Sequence, residues 1–318
     1  MPNQFTTPDI QVSAQTTQHI FMIRPANFGA NPETAADNVF QHTAKASDAA
    51  DIAEQARLEF DVFVAKLRAA GVNVLVVEDT PHPIKTDAVF PNNWITTHDD
   101  GVVVTYPMYS PIRRVERRRD IIDLLAEHFS VTRYITLEAW EEQERMLEGT
   151  GSMILDREHR QVYACLSKRT DLKSLQEWAS MMRYELIAFH AIGSSGLPLY
   201  HTNVMMAIGT SHAVVCPSFI HDATEREQVL AGLRQAGKTV LELTEAQIDQ
   251  FAGNMLELKG ADGPVWAMST AAFNALTATQ RDELQSSQAK IVHSDLGIIE
   301  KYGGGSARCM MAEIFLPE

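Results

Sequence analysis

Five polar residues recur along this chain at near-constant spacing: Asn93, Ser152, Asn203, Asn254 and Cys309, which subtraction of positions puts 59, 51, 51 and 55 residues apart. The last of them follows Gly303-Gly304-Gly305-Ser306-Ala307-Arg308. Consecutive glycines let a backbone approach a ligand closely, and a thiol beside a cation is poised to attack carbon as thiolate. A cysteine outside a disulfide is more often a small buried hydrophobe, so Cys309 needs support from the other positions. Before Ser152 stands Leu147-Glu148-Gly149-Thr150-Gly151, where a glutamate between an apolar residue and a glycine turn can carry a proton. Before Asn203 stands Tyr200-His201-Thr202, and an imidazole suits acid and base work near neutral pH. Phe90-Pro91-Asn92-Asn93-Trp94 adds two uncharged amides. Each pattern alone has an ordinary explanation as a turn or a structural hydrogen bond. A thiol, an imidazole, a carboxylate and amides at equivalent points of one repeat supply the nucleophile, acid/base and orienting groups that attack on a planar carbon requires.

The elements that would position these groups repeat with them. Trp94–Thr97, a turn at His98–Gly101, Val102–Tyr106 and a helix over Arg117–Phe129 form one unit. Ser152–Leu155, Val162–Leu166 and a helix over Asp171–Met182 form the next. Asn203–Ile208, Ala213–Cys216 and a helix over Asp222–Ala236 follow. Asn254, Gly260–Gly263, Val265–Met268 and a helix near Thr277–Ser286 complete the fourth. Strand-strand-helix units of this period cannot bury their apolar faces alone and must pack around a shared centre. Five of them closing in a ring would turn all five polar residues toward one pocket, with the strand His19–Arg24 completing the last unit beside Met310–Phe315. Residues 24–41, with Asn27, Phe28, Asn38 and Gln41, are placed as a lid.

Composition narrows the function. The 318 residues are 45% hydrophobic and 21% charged with net charge −14, so a large core is expected and nucleic acid or an anionic membrane surface is not. The basic run Arg113–Arg119 reads as a solvated loop and helix start. No apolar stretch approaches a membrane span of about 20 residues, the N-terminus does not read as a signal peptide, and three scattered cysteines suit the cytoplasm without a disulfide framework. Gly232–Thr239 satisfies the spacing of a phosphate loop, but a helix precedes it and a strand follows, the reverse of what that loop needs. Gly149-Thr150-Gly151 lacks the third glycine of a dinucleotide site. His190, His201 and His212 are spaced wrongly for zinc on one helix.

Phe90-Pro91-Asn92-Asn93, Glu148-Gly149-Thr150-Gly151, His201-Thr202-Asn203 and Gly303–Cys309 resemble the ordered motifs of the guanidine-modifying superfamily, which includes arginine deiminases, dimethylarginine hydrolases, agmatine deiminases and amidinotransferases. Within it the chain is most similar to proteins called citrulline-utilisation hydrolases. The resemblance covers most of the chain. It implies an α/β fold, a five-bladed α/β propeller of the pentein type, in a single catalytic domain over residues 1–318. It also implies Cys309 as nucleophile, His201 as general acid and base, Glu148 as the carboxylate assisting proton transfer, and neither metal nor organic cofactor. Asn93, Asn203, Asn92, Ser152 and Arg308 are the expected substrate-binding residues, the ligand being a small amino acid. A homo-oligomer is compatible with the sequence.

The departures from the family bear on substrate. Arginine deiminases carry aspartates where this chain has Asn93, Ser152 and Asn203, and a buried cation without counter-charge is costly. An asparagine amide can donate to oxygen, which an ionised aspartate cannot. The related arginine dihydrolases also place asparagine in the first motif, so Asn93 on its own fits either substrate. Ser152 and Asn203 tip the pattern toward the neutral ureido group of citrulline, with ornithine, ammonia and carbon dioxide as products. An arginine deiminase or dihydrolase is the alternative, and a silent propeller used as a binding module a third. The cation for a substrate carboxylate is open among Arg24, Arg113, Arg114 and Arg133.

Overall fold

The computed structural model describes residues 13–34, 38–43 and 45–318. Its first strand, β1 (His19–Arg24), is followed by the 21-residue helix α1 (Ala49–Ala69) and then β2 (Asn73–Glu78), which lies parallel to β1. The next unit is β3 (Ile95–Thr97), β4 (Val102–Thr105), α2 (Arg119–His128) and β5 (Arg133–Thr136). It is followed by the one-turn helix α3 (Gly149–Ser152), β6 (Ile154–Asp156), β7 (Gln161–Cys165), α4 (Leu172–Met182) and β8 (Glu185–Phe189). The third comprises β9 (Met206–Ile208), β10 (His212–Val215), α5 (Ala223–Gln235), β11 (Thr239–Glu242) and α6 (Glu245–Ile248). The fourth runs through β12 (Leu256–Gly260), β13 (Gly263–Ser269), α7 (Thr270–Ala275), α8 (Ala278–Gln285) and β14 (Lys290–Ser294). The short helix α9 (Gly297–Gly303) and β15 (Ala312–Ile314) end the chain.

These strands make five three-stranded sheets of one design. In each, an antiparallel pair is joined to a third strand that returns through a helix and pairs in parallel, as a crossover connection requires. The closing sheet β15-β1-β2 joins the two ends of the chain as expected, with His19 opposite Ile314. The central strands are buried on both faces; Val102, Val103, Val104 and Thr105 are all inside.

Helix boundaries follow local chemistry. Asp171 caps α4 by accepting from Ser174 N, and Asp222 caps α5 by accepting from Thr224 N and Glu225 N. Gly237, at φ +74°, stops α5, and Lys238 turns inward to Thr210 O and Glu158, so the phosphate-loop pattern is a helix end. Two features go beyond the sequence reading. Helix α1 buries Ile52, Ala56, Phe60, Phe63, Val64 and Leu67 along one face. The third strands of four sheets also went unread, because segments such as Arg133–Thr136 are short and half exposed. Among the described residues no helix is long and apolar enough to cross a membrane.

The polar hairpin starts sit two or three residues ahead of their strands, in tight turns that bond to one another. Pro91–Asn93, Thr202–Val204 and Ala307–Met310 are 3-10 turns, and Ser152 closes α3. Asn92 Nδ2 donates to Thr150 Oγ1 at 3.3 Å, Thr202 Oγ1 to Ser152 O at 2.6 Å, and Asn254 Nδ2 to Asn203 O at 2.9 Å. Arg308 N donates to Asn254 Oδ1 at 3.0 Å, and the turn at 307–310 packs on that at 91–93. The five starts therefore form a continuous circuit.

Candidate active site

Cys309 is held in its 3-10 turn behind Gly305, whose missing side chain leaves room for the thiol: a Cβ there would lie 3.3 Å from Sγ. Sγ has two amide donors, Asn203 Nδ2 and Asn254 Nδ2, each at 3.3 Å. Both donors are neutral. The cation expected beside the thiol lies elsewhere. The Arg308 guanidinium turns away to Met311 O at 2.9 Å and Glu313 at 2.8 Å, because successive residues of a tight turn point in different directions.

His201 shares Cys309's pocket and is anchored by Glu148, with Nε2 2.7 Å from Oε2. The other carboxylate oxygen of Glu148 accepts from Tyr109 N at 2.8 Å. Burial alone would raise the Glu148 carboxyl, but the His201 hydrogen bond and the charges of Arg169 and Arg113 outweigh it and hold the group down at about 2. Glu148 is thus an anion and only an acceptor, so His201 Nε2 carries the proton. Burial depresses His201 below the usual imidazole range despite Glu148, with Arg169 and Arg113 acting in the same sense as burial. The resting ring is neutral at pH 7, with its lone pair on Nδ1.

That nitrogen lies over Gly151. A Cβ on Gly151 would stand 2.8 Å from His201 Nδ1 and Cε1 and 2.5 Å from Asn93 Nδ2. Gly151→Ala is therefore expected to displace both groups, lower kcat/KM by about 100-fold and cost about 1–3 kcal/mol of stability through overpacking; steady-state kinetics and a melting curve on the same preparation check both halves.

Asn93 has its orientation fixed by chemistry. Arg113 Nη1 donates to Asn93 Oδ1 at 2.9 Å, and a guanidinium has only donors, so the amide cannot be turned over. Asn93 Nδ2 is left buried without a hydrogen-bond partner. Arg113 is itself buried, gripping Glu116 at 2.9 Å and lying 3.6 Å from Asp87. Burial raises Asp87 above the usual carboxyl range despite Arg113, and its Oδ1 is also unpartnered.

The pocket is lined by Cys309, His201, Asn93, Arg113, Arg169 and Asp87 among others. Thr34 and Asn38 also line it, with Asn38 Nδ2 donating to Gly304 O, so part of the segment 24–41 does cover the site; its residues 35–37 lie outside the described residues.

Of the eight expected site residues, Cys309, His201, Glu148 and Asn93 converge as anticipated, and Asn203 supports the sulfur from below. Three are placed otherwise. Ser152 Oγ accepts from Glu148 N and donates to Arg169 O, Asn92 bonds Thr150 across the neighbouring turn, and Arg308 faces Glu313. None of the three lines the pocket. Sequence reasoning missed Asp87, Arg169 and Asn254 as site residues. The spacing had already marked Asn254; the other two stand on loops outside the repeat. The one trio of side chains among the described residues suited to a metal, Asp156, Glu158 and His159, is on the β6–β7 hairpin and not in the pocket lining.

Five sheets of one design, with a cysteine, a histidine and a glutamate brought together, agree with the resemblance carried by the motifs. The family model for N,N dimethylarginine dimethylhydrolase, eukaryotic, matches residues 24–316, and the chain belongs to that family of hydrolases. No curated protein matches it. Among solved structures it is similar to the N-terminal domain of ArgZ, a cyanobacterial arginine dihydrolase, in a substrate-bound mutant form (18% identity, TM-score 0.68, 94% of this chain and 98% of that one). AgrE with ornithine and NAD+ gives 19% identity and TM-score 0.70 over 94% of this chain and 40% of AgrE. A dimethylarginine dimethylaminohydrolase adduct with S-methyl-L-thiocitrulline gives 13% identity and TM-score 0.62 over 94% of this chain and 100% of that one. Against whole ArgZ the chain spans 39% of the length.

Proposed function

We propose that the protein is a cysteine hydrolase of the ureido group of citrulline, yielding ornithine, ammonia and carbon dioxide. The observation that carries this reading is Asn93 Nδ2, a buried amide donor without a partner whose orientation Arg113 fixes, beside the catalytic histidine. A ureido oxygen would supply the missing acceptor, whereas a guanidinium would bring only more donors. Arg169 brings positive charge to the pocket for the α-carboxylate, and Asp87 an acceptor for the α-ammonium. The same reading has one catalytic domain, with the five sheets as blades of an α/β propeller.

In the first step the Cys309 proton passes to His201 Nδ1 and Sγ bonds to the ureido carbon, while the oxygen gains charge against Asn93. Glu148 stabilises the imidazolium. His201 then protonates a departing nitrogen, the C–N bond breaks and a thioester-type carbonyl remains on sulfur. Water, deprotonated by His201, attacks that carbonyl and releases Cys309. With the second nitrogen lost as the carbamate decomposes, one citrulline and one water give one each of ornithine, ammonia and carbon dioxide. Acid quenching during turnover tests this: citrulline should leave a mass adduct on the Cys309 peptide, and none forming while turnover proceeds would defeat the covalent route.

A second reading, arginine deiminase or dihydrolase, is favoured by the similarity to ArgZ and AgrE. Asn93→Asp separates the two. It removes the donor and adds a charge, so the ratio of kcat/KM for arginine to that for citrulline should rise at least about 10-fold. An unchanged ratio would remove Asn93 as the selector.

A further inference from the structure

A second cavity lies beyond the Arg308–Cys309 backbone and shares no lining residue with the Cys309 pocket. Side chains of Gln15, Arg157, Arg308 and Glu313 line it, with apolar residues of β6, β9 and β12. Arg308 is neutralised by Glu313 at 2.8 Å. Gln15 is fully engaged, donating to Leu155 O at 2.9 Å and Ile208 O at 3.1 Å and accepting from Arg157 N at 2.8 Å. Arg157 differs. Its residue is only 4% exposed, its guanidinium carbon lies 3.8 Å from the centroid of the Phe315 ring, and among the described residues its side chain has no hydrogen bond or ion pair.

A guanidinium taken out of water is costly unless something carries the opposite charge. A ring face supplies part of that but leaves the in-plane N–H donors unmet. Among the described residues, two arginines against one glutamate leave one positive charge at this cavity. About 20 Å³ is open to a water-sized body, more than the roughly 10–15 Å³ that a single water needs, so an occupant of that size fits. We propose that this cavity is a binding site for one small monovalent anion of the halide class, held by the Arg157 guanidinium in the plane of its N–H groups.

The test uses the whole chain at constant ionic strength, comparing sodium chloride with sodium gluconate. Chloride should raise the thermal midpoint with the logarithm of its concentration once above its dissociation constant, by about 5 °C at about 100 times that constant, and gluconate should not. Arg157→Met should abolish the difference and Arg157→Lys should keep part of it. Equal responses to the two salts, or a chloride response surviving in Arg157→Met, would overturn the assignment. Should Arg157→Met not fold, crystals of the unmodified protein soaked in bromide decide: an anomalous peak within hydrogen-bonding distance of Arg157 supports the site, and its absence at full soak refutes it.

Discussion

Cys309→Ser is expected to lose at least about 10⁴-fold in kcat/KM. An alcohol is far less acidic than a thiol, and nothing beside it would make up the difference. Sγ is held by Asn203 Nδ2 and Asn254 Nδ2, which are neutral donors, and the nearby Arg308 charge is spent on Glu313. Neutral donors of this kind do not generate an alkoxide from a serine hydroxyl. The fold should survive, because a hydroxyl fits the same two hydrogen bonds. The check is kcat/KM together with a melting curve: turnover within 100-fold of the unmodified enzyme would show that sulfur is not the nucleophile.

Glu148→Gln should lower kcat/KM by about 10³-fold. The amide can still accept from His201 Nε2 or from Tyr109 N, so the ring keeps its place, but no negative charge remains to stabilise the imidazolium that forms as Cys309 loses its proton. The variant has a second signature in stability. Glu148 sits at about 2 in the folded protein against 4.5 ordinarily. A carboxyl depressed on folding stabilises fully above its unfolded value and loses that contribution as pH falls through the folded one. The window is therefore pH 4.5 down to about 2. Chemical unfolding across it should show a shallower loss in Glu148→Gln than in the unmodified protein. Parallel losses would mean that the carboxylate is not held ionised by His201 and Arg169.

The repeat was legible because its spacing is independent of how each unit packs. Asn93, His201, Glu148 and Cys309 could be brought to one place from period and motif, and the strand His19–Arg24 could be matched to its partner near Ala312. What escaped reading was direction. Asn92 and Asn93 are adjacent in one 3-10 turn, yet one reaches Thr150 and the other the pocket. Ser152 and Arg308 likewise stand beside the chemistry in sequence and point elsewhere, since sequence proximity does not fix side-chain direction in a tight turn. Arg169 and Asp87 were invisible for another reason: they come from loops outside the period, and only tertiary packing brings them to Cys309. Of the three positions where arginine deiminases carry acids, Asn93 alone lines the pocket. Asn203 contacts the sulfur and Ser152 the backbone.

Parallel measurement of kcat/KM with citrulline and with arginine, following ornithine and ammonia in both, tests the central claim most directly. The unpartnered donor of Asn93 predicts that citrulline is turned over faster and yields ornithine and ammonia in equal amounts. Faster turnover of arginine, with about two ammonia per ornithine or with citrulline accumulating, would contradict it.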